Sequence, residues 1–312
     1  MIYIKIQLSK LKVKLAAYSK LRRLVIRIAV ISGLAGLCLF GSQIGPLPLL
    51  VSGNRAVYAN FPILLNQDDL KIHVIDVGQG DATLIQYKAA AILIDTGPPE
   101  AGHKLTQYLK ALGIKKLDGL ILTHPHDDHV GSGKMILEEF SVGHLFVSHN
   151  TKENVLLEEI IALAALQSIP ISSPVKDTTV KVADLSFRCL HPLPKDYSNI
   201  NNYSSVWSLQ YKSVGFLFLA DLESDESDDL AFAPTAFVRS GHHGSVTSTN
   251  QSLLAKLSPK LFAISCGLNN AYGHPSKDVL GLLAEFQIPF FRTDRGSTKV
   301  ISSDGASLRW VH

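Results

Sequence analysis

Cysteine is nearly absent, with three in 312 residues. Cys38 lies in an apolar stretch near the start, so one disulfide at most is available. Cys189 and Cys266 are read as two buried thiols rather than a pair. Charge is also sparse: 18% of residues are charged against 46% hydrophobic, which excludes a disordered chain. The first 60 residues contain no Asp or Glu, yet hold nine Lys or Arg. The remaining 21 basic and 27 acidic residues leave positions 61–312 with a charge of −6. That balance argues against a tight electrostatic sheath for nucleic acid. It does not exclude a nuclease, because bound dications reverse the local field. Short-period repeats and low-complexity tracts are missing as well.

Long apolar runs are scarce too. The longest, "IAVISGLAGLCLF" from Ile28 to Phe40, is short for a full span of about 20 residues. Its basic flank matches the start of an export signal. The uniformly positive charge on that side disfavours the alternative, a helix buried in the fold. The expectation is export, with the segment retained as a membrane anchor in preference to release as a secreted or periplasmic domain. Val57-Tyr58-Ala59 offers the small residues of a cleavage site, but far beyond the apolar run, and "LAGLC" misses a lipoprotein box by one residue.

Residues 42–62, with Gly45, Pro46, Pro48, Gly53 and Pro62, read as a linker. Strand patterns follow at 70–77, 82–86 and 91–95, then an amphipathic helix at 103–112 and a buried strand at 117–123. Helices are predicted at 131–140, 151–167, 249–257 and 276–286. Strands are predicted at 143–148, within 170–192, at 205–211 paired with 215–220, and at 236–240, 260–265 and 288–292. An Asp304-Gly305 hairpin closes the chain. The alternation suggests a layered α/β sandwich, organised as a segment 1–60 and a globular domain 61–312.

The chemistry concentrates in "THPHDDH", residues 123–129. His124 and His126 leave a strand two residues apart, so both rings can face one side. Asp128 and His129 follow at the turn into a helix. Imidazole with carboxylate suits Zn²⁺, with Mn²⁺ or Fe as alternatives. One ion cannot use all four and keep an open position, so two divalent ions are the economical reading. The plain alternative, a solvated polar loop, is disfavoured by such dense clustering at a strand end.

"THPHDDH" resembles the His-x-His-x-Asp-His motif of the metallo-β-lactamase fold superfamily. "IDVGQGDA" (75–82), "ILIDTG" (92–97), "HHGS" (242–245) and "YGHP" (272–275) resemble, in order, the metallo-hydrolase domain of ComEC-type competence proteins. The resemblance runs from about 70 to 310 and implies a four-layer αββα sandwich. It makes Asp221, which ends "FLFLAD", a carboxylate bridging two ions. It assigns His124, His126 and one of His242 and His243 to the first ion, with His243 preferred. Asp128, His129 and His274 go to the second. Asp128 and His242 are the candidate catalytic groups. Asp76 and Asp95 end apolar strands and can either accept a ligand imidazole's free N–H or cap turn amides. Gln79 and Asp81 are weaker candidates for the same supporting role, and Asn202 and Ser204 match a family position of open function. Two departures, Ser132 within Gly131-Ser132-Gly133 and Ala220 before Asp221, spare every ligand.

Such a dinuclear site lowers the pKa of water and polarises the oxygen under attack. His242 is then the candidate acid for the leaving group. The implied activity is hydrolysis of a phosphodiester, with DNA, other nucleic acid or a nucleotide as substrate. The rivals are a carboxyl ester, thioester or β-lactam hydrolase, and a membrane-tethered metal-containing accessory protein of DNA uptake or the envelope. One apolar segment cannot form a channel.

Overall fold

A computed structural model describes residues 69–150, 154–228 and 230–311. The basic segment, the apolar run and the boundary expected at 60/61 lie outside these residues. No helix among the described residues is long and apolar enough to cross a membrane.

Two mixed sheets face each other. The first runs Leu308–Trp310, Lys299–Ser303, Leu70–Val74, Thr83–Tyr87, Ala90–Ile94, Gly119–Leu122, Leu145–Val147 and Ile171–Ser172. The second runs Phe290–Arg292, Leu261–Ile264, Phe237–Arg239, Val214–Phe218, Val206–Tyr211, Leu185–His191 and Thr179–Val182. Side chains alternate between the faces of each strand, and here both faces are apolar. Ile92 and Ile94 enter the core between the sheets while Ala91 and Leu93 pack under helices. Phe216 and Phe218 likewise point between the sheets, and Leu217 points outward to the opposite helical layer. Trp207, Phe187, Phe216 and Phe237 are fully buried between the sheets, each worth about 2–3 kcal/mol by burial. Helices Gly102–Ala111, Gly133–Glu139 and Val155–Leu166 cover the first sheet. Gln251–Leu257 and Lys277–Glu285 cover the second. This is the expected four-layer αββα sandwich.

Helix starts follow from local chemistry. Asn154, Asn250 and Ser276 each accept the N–H three residues onward, from Leu157, Leu253 and Val279. Two sequence expectations need correction. The strand expected over 70–77 stops at Val74, because the Asp76 side chain accepts the Gly78 N–H and Gly78 turns with φ +79°. The helix expected over 131–140 is split into Asp127–Val130 and Gly133–Glu139. Between them Ser132 is drawn aside, donating from Oγ to the Pro98 carbonyl at 2.6 Å.

Strands Ala90–Ile94 and Gly119–Leu122 are parallel, as are Val214–Phe218, Phe237–Arg239 and Leu261–Ile264. Each parallel set sends its C-terminal ends the same way, and the loops beyond those ends carry the polar residues. Asp95, His124, Asp221 and His243 all follow such ends.

Candidate metal centre

The chain leaves its strand at Leu122, bends at His124 and Pro125, and enters one helical turn at Asp127. That path brings His124 Nε2 within 3.0 Å of His126 Nδ1, so two imidazoles aim at one point. The turn swings His129 behind them, fully buried. Asp221 stands between the two groups. Its Oδ2 is 3.7 Å from His124 Nε2, and its Oδ1 is 3.3 Å from His129 Nε2. His243 joins from the second sheet, with Nε2 3.0 Å from Asp128 Oδ2 and 3.6 Å from Asp221 Oδ2.

The donors fit a pair of cations. His129 Nε2 and Asp221 Oδ1 are buried 3.3 Å apart and have no other hydrogen-bond partner, an expensive arrangement unless something else binds them. Burial opposes charge on His129, yet the carboxylates of Asp221, Asp95 and Asp128 outweigh it and hold its pKa well above the ordinary value. Burial pushes His124 the other way, well below. Burial also opposes charge on Asp221, but His129 and His243 outweigh it and keep the group ionised. An anionic pocket lined by imidazole lone pairs is the donor set that divalent ions take.

The ligand rings are held from behind. His129 Nδ1 faces Asp95 Oδ2 at 2.9 Å, and Asp95 also accepts the amide and hydroxyl of Thr123. His243 Nδ1 donates to the Ser265 carbonyl at 3.0 Å. A carbonyl can only accept, so that nitrogen carries the proton and the Nε2 lone pair is free for a metal. Asp81 lies 3.7 Å from His129 Nδ1 and 3.6 Å from His243 Nδ1. It is close enough to count geometrically among potential ligands. It sits on the far side of both rings from Nε2, however, and the Arg239 guanidinium meets it there. Asp81 is a counter-charge behind the ligands.

Glycines let the loops close over the turn. A Cβ on Gly80 would stand 2.4 Å from the Asp128 carbonyl, and Gly80 has φ +143°. The next residue, Asp81, donates its amide to that same carbonyl at 3.0 Å. Thr96 clasps the His129 carbonyl from the other side through its amide at 2.7 Å.

Several site residues sit otherwise than the resemblance implies. His243 stands between the two groups: its Nε2 meets Asp128 Oδ2 and shares Asp221 Oδ2 with His124. His274 joins neither group: it stacks beside Tyr272 and lies edge-on to His242, with ring centroids 5.5 Å apart. Asn270 clasps its backbone, accepting the His274 amide and donating to its carbonyl, and the ring lines the cleft. Asp76 supports no imidazole, since Lys104 Nζ takes its Oδ2 at 2.6 Å and the Gly78 amide takes Oδ1. Gln79 accepts the Gly267 amide at 3.0 Å, lines the cleft and is not bonded to a ligand. Asn202 and Ser204 hold the bridging segment by accepting the amides of Glu223 and Asp221.

Two residues escaped the sequence reading. Glu223 Oε1 lies 3.1 Å from His242 Nδ1 and accepts Asn201 Nδ2 at 2.8 Å. His242 Nε2 is thereby left 3.8 Å from Asp221 Oδ2, facing the cleft. Burial opposes charge on His242, but Glu223 and Asp221 outweigh it and raise its pKa. The second is Arg239, 3% exposed. Its only signal was a cation inside the apolar strand "AFVRS". The ligands open onto a cleft of about 790 Å³.

Fold and site together define a metal-dependent hydrolase with a buried His/Asp centre. The chain belongs to the metallo-β-lactamase superfamily, whose family model matches residues 75–267. Among proteins of known sequence it is similar to ComE operon protein 3 of Bacillus subtilis (strain 168), at 31% identity over 260 residues, 76% of this chain and 33% of that protein. It is also similar to competence protein ComA of Neisseria gonorrhoeae, at 24% identity over 273 residues, 86% of this chain and 37% of that one. The chain thus spans about a third of the length of these relatives. The metallo-β-lactamase fold protein YhfI of Bacillus subtilis shares the fold, with a TM-score of 0.53 at 16% identity, covering 76% of this chain and all of that one.

Proposed function

We propose that this protein is a phosphodiesterase with a dinuclear Zn²⁺ centre, acting on nucleic acid or a nucleotide. The observation that carries the reading is the placement of Asp221, whose Oδ2 faces His124 and His243 while its Oδ1 faces His129. His124, His126 and Asp221 would hold one ion, and Asp128, His129 and Asp221 the other, with His243 placed to reach either. Cations there supply Lewis acidity and a water of lowered pKa. The chain's own contribution is orientation and proton transfer. Asp95 and Ser265 fix the ring tautomers of His129 and His243. Glu223 holds His242 by Nδ1, so that Nε2 can deliver a proton to a departing oxygen in the cleft. Similarity to competence proteins supports nucleic acid as the substrate class, and the basic segment 1–60 supports export of the domain. Metal analysis should precede assays on bis-p-nitrophenyl phosphate, single-stranded DNA and a chromogenic lactam. Turnover of the lactam alone would overturn the phosphodiester assignment. An alkaline phosphatase fusion after Phe61 that accumulates but stays inactive would overturn export.

A further inference from the structure

The metal cleft has an unusual boundary. Its wall includes Glu100, Asp127 and Asp128 but no lysine or arginine, so the cleft itself has no fixed cation for any phosphate beyond the one being cut. Tyr272 and His274 of segment 268–275 line this cleft. The same histidine lines a second groove of about 450 Å³ across the segment. That groove contains Lys277, Arg292 and Arg295, with Asp294 as its one acidic residue. Asp294 is already engaged, taking Arg292 through two parallel bonds of 2.9 and 2.6 Å. Lys277 and Arg295 are exposed, and among the described residues neither has a side-chain hydrogen bond or ion pair. The groove therefore holds two uncompensated cations in a domain whose net charge is negative. Between groove and cleft stands Tyr272, 71% exposed and stacked on His274 at an interplanar angle of 13°.

We infer that this groove is a second phosphate subsite, which binds the backbone of a single-stranded nucleic acid whose neighbouring phosphate lies at the metals. The inference rests on the phosphodiesterase reading and narrows it: the substrate is a strand rather than a mononucleotide. A strand crossing segment 268–275 meets an exposed ring able to stack on a base of any sequence. It then reaches two cations placed for its next phosphates. A mononucleotide fills the cleft and gains nothing from the groove.

The test is fluorescence anisotropy with a short labelled single-stranded oligonucleotide, titrated against the full chain at several salt concentrations. Wild type is compared with the double variant Lys277→Glu, Arg295→Glu, whose thermal midpoint checks folding. Each phosphate contact contributes about 0.7 to the slope of log affinity on log salt for single strands. The double variant should bind about tenfold more weakly at low salt, with a slope shallower by about 1.4. Unlabelled mononucleotide should compete equally well with both proteins. An unchanged Kd and slope would overturn the subsite, as would a mononucleotide that loses affinity in step with the strand. Bis-p-nitrophenyl phosphate separates the two readings. No turnover alongside groove-dependent binding removes the phosphodiesterase and keeps the groove, whereas turnover with unchanged binding does the reverse.

Discussion

Asp95 Oδ2 stands 2.9 Å from Nδ1 of His129, and both groups are buried. The contact fixes which nitrogen of His129 keeps its proton and therefore which one is free for a cation. Asp95→Asn preserves shape and can still accept the Thr123 amide, but removes the charge behind the ring. Losing such a partner commonly costs about 10–100-fold in metal affinity. Competition with a chromogenic chelator should show a loss of that size; unaltered affinity would make Asp95 a strand-end cap only.

Asp221 is expected to matter to both ions at once. Its oxygens face His124 on one side and His129 on the other, so Asp221→Ala strips a ligand from each set. The purified wild-type chain should hold two equivalents of transition metal, and the variant should lose metal and reduce turnover by orders of magnitude. A single equivalent in wild type, with Asp221→Ala fully active, would end the dinuclear reading. Because the carboxylate is 1% exposed among imidazoles, circular dichroism should accompany the assay.

Gly80 is where the backbone of one loop passes over another. A methyl group there would lie 2.4 Å from the Asp128 carbonyl, on a residue with φ +143°. Gly80→Ala should cost about 1–3 kcal/mol in urea unfolding and weaken metal binding by displacing the turn that carries Asp128 and His129. A variant as stable as wild type would show that the loop can shift without cost.

These relationships differ in how far sequence alone exposes them. His124, His126, Asp128 and His129 are legible because one strand end and one turn bring them together. The two sheets are legible because the apolar strands alternate with helices. The partner of each ion was another matter. His243 meets Asp128 and shares Asp221 Oδ2 with His124, on a turn where His242 and His243 both adopt left-handed φ, 41° and 53°, a conformation costly for non-glycine residues. His274 is clasped through its backbone by Asn270, four residues earlier, and nothing in "YGHP" signals that clasp. Arg239 did leave a signal, since a cation inside a buried strand needs an acid nearby; only the fold shows that the acid is Asp81, 158 positions earlier in the chain.

Stability should carry an acid-side signature from His73. Burial pushes its pKa from 6.5 down to about 3, and its Nδ1 lies 2.8 Å from the Tyr108 hydroxyl. The unfolded chain takes up this proton near pH 6.5 and the folded chain does not until about 3. Between those values the unfolded state binds more protons, so stability falls as pH drops, by about 1.4 kcal/mol per unit well below 6.5. At pH 5 this group alone should cost about 2 kcal/mol. Above pH 7 it should cost nothing. His73→Leu should therefore show a shallower decline in unfolding free energy from pH 7 to 5 than wild type, by about 2 kcal/mol in urea titrations. Other buried histidines contribute to both proteins and cancel in the comparison. Parallel declines would show that His73 is protonated in the folded state.

The adjacent histidines give the sharpest division of labour. His243 points Nε2 at Asp128 and Asp221 while Nδ1 donates to Ser265; His242 points Nδ1 at Glu223 and Nε2 toward the cleft. A ligand needs a free lone pair, whereas an acid needs a proton and access to the leaving oxygen. His243→Ala should thus lower metal content and rate together. His242→Ala should leave both metal equivalents bound and slow substrates with poor leaving groups by about 10²–10⁴-fold. Bis-p-nitrophenyl phosphate should suffer least, because p-nitrophenolate departs without protonation. Glu223→Gln should follow the same leaving-group pattern in milder form, since it still accepts from Nδ1 but no longer supports the charge on the ring. If His242→Ala instead loses one of two metal equivalents, His242 is a ligand to the ion at His124 and His126, and the proton must come from elsewhere. Its Nε2, 3.8 Å from Asp221 Oδ2, makes metal content the measurement that decides.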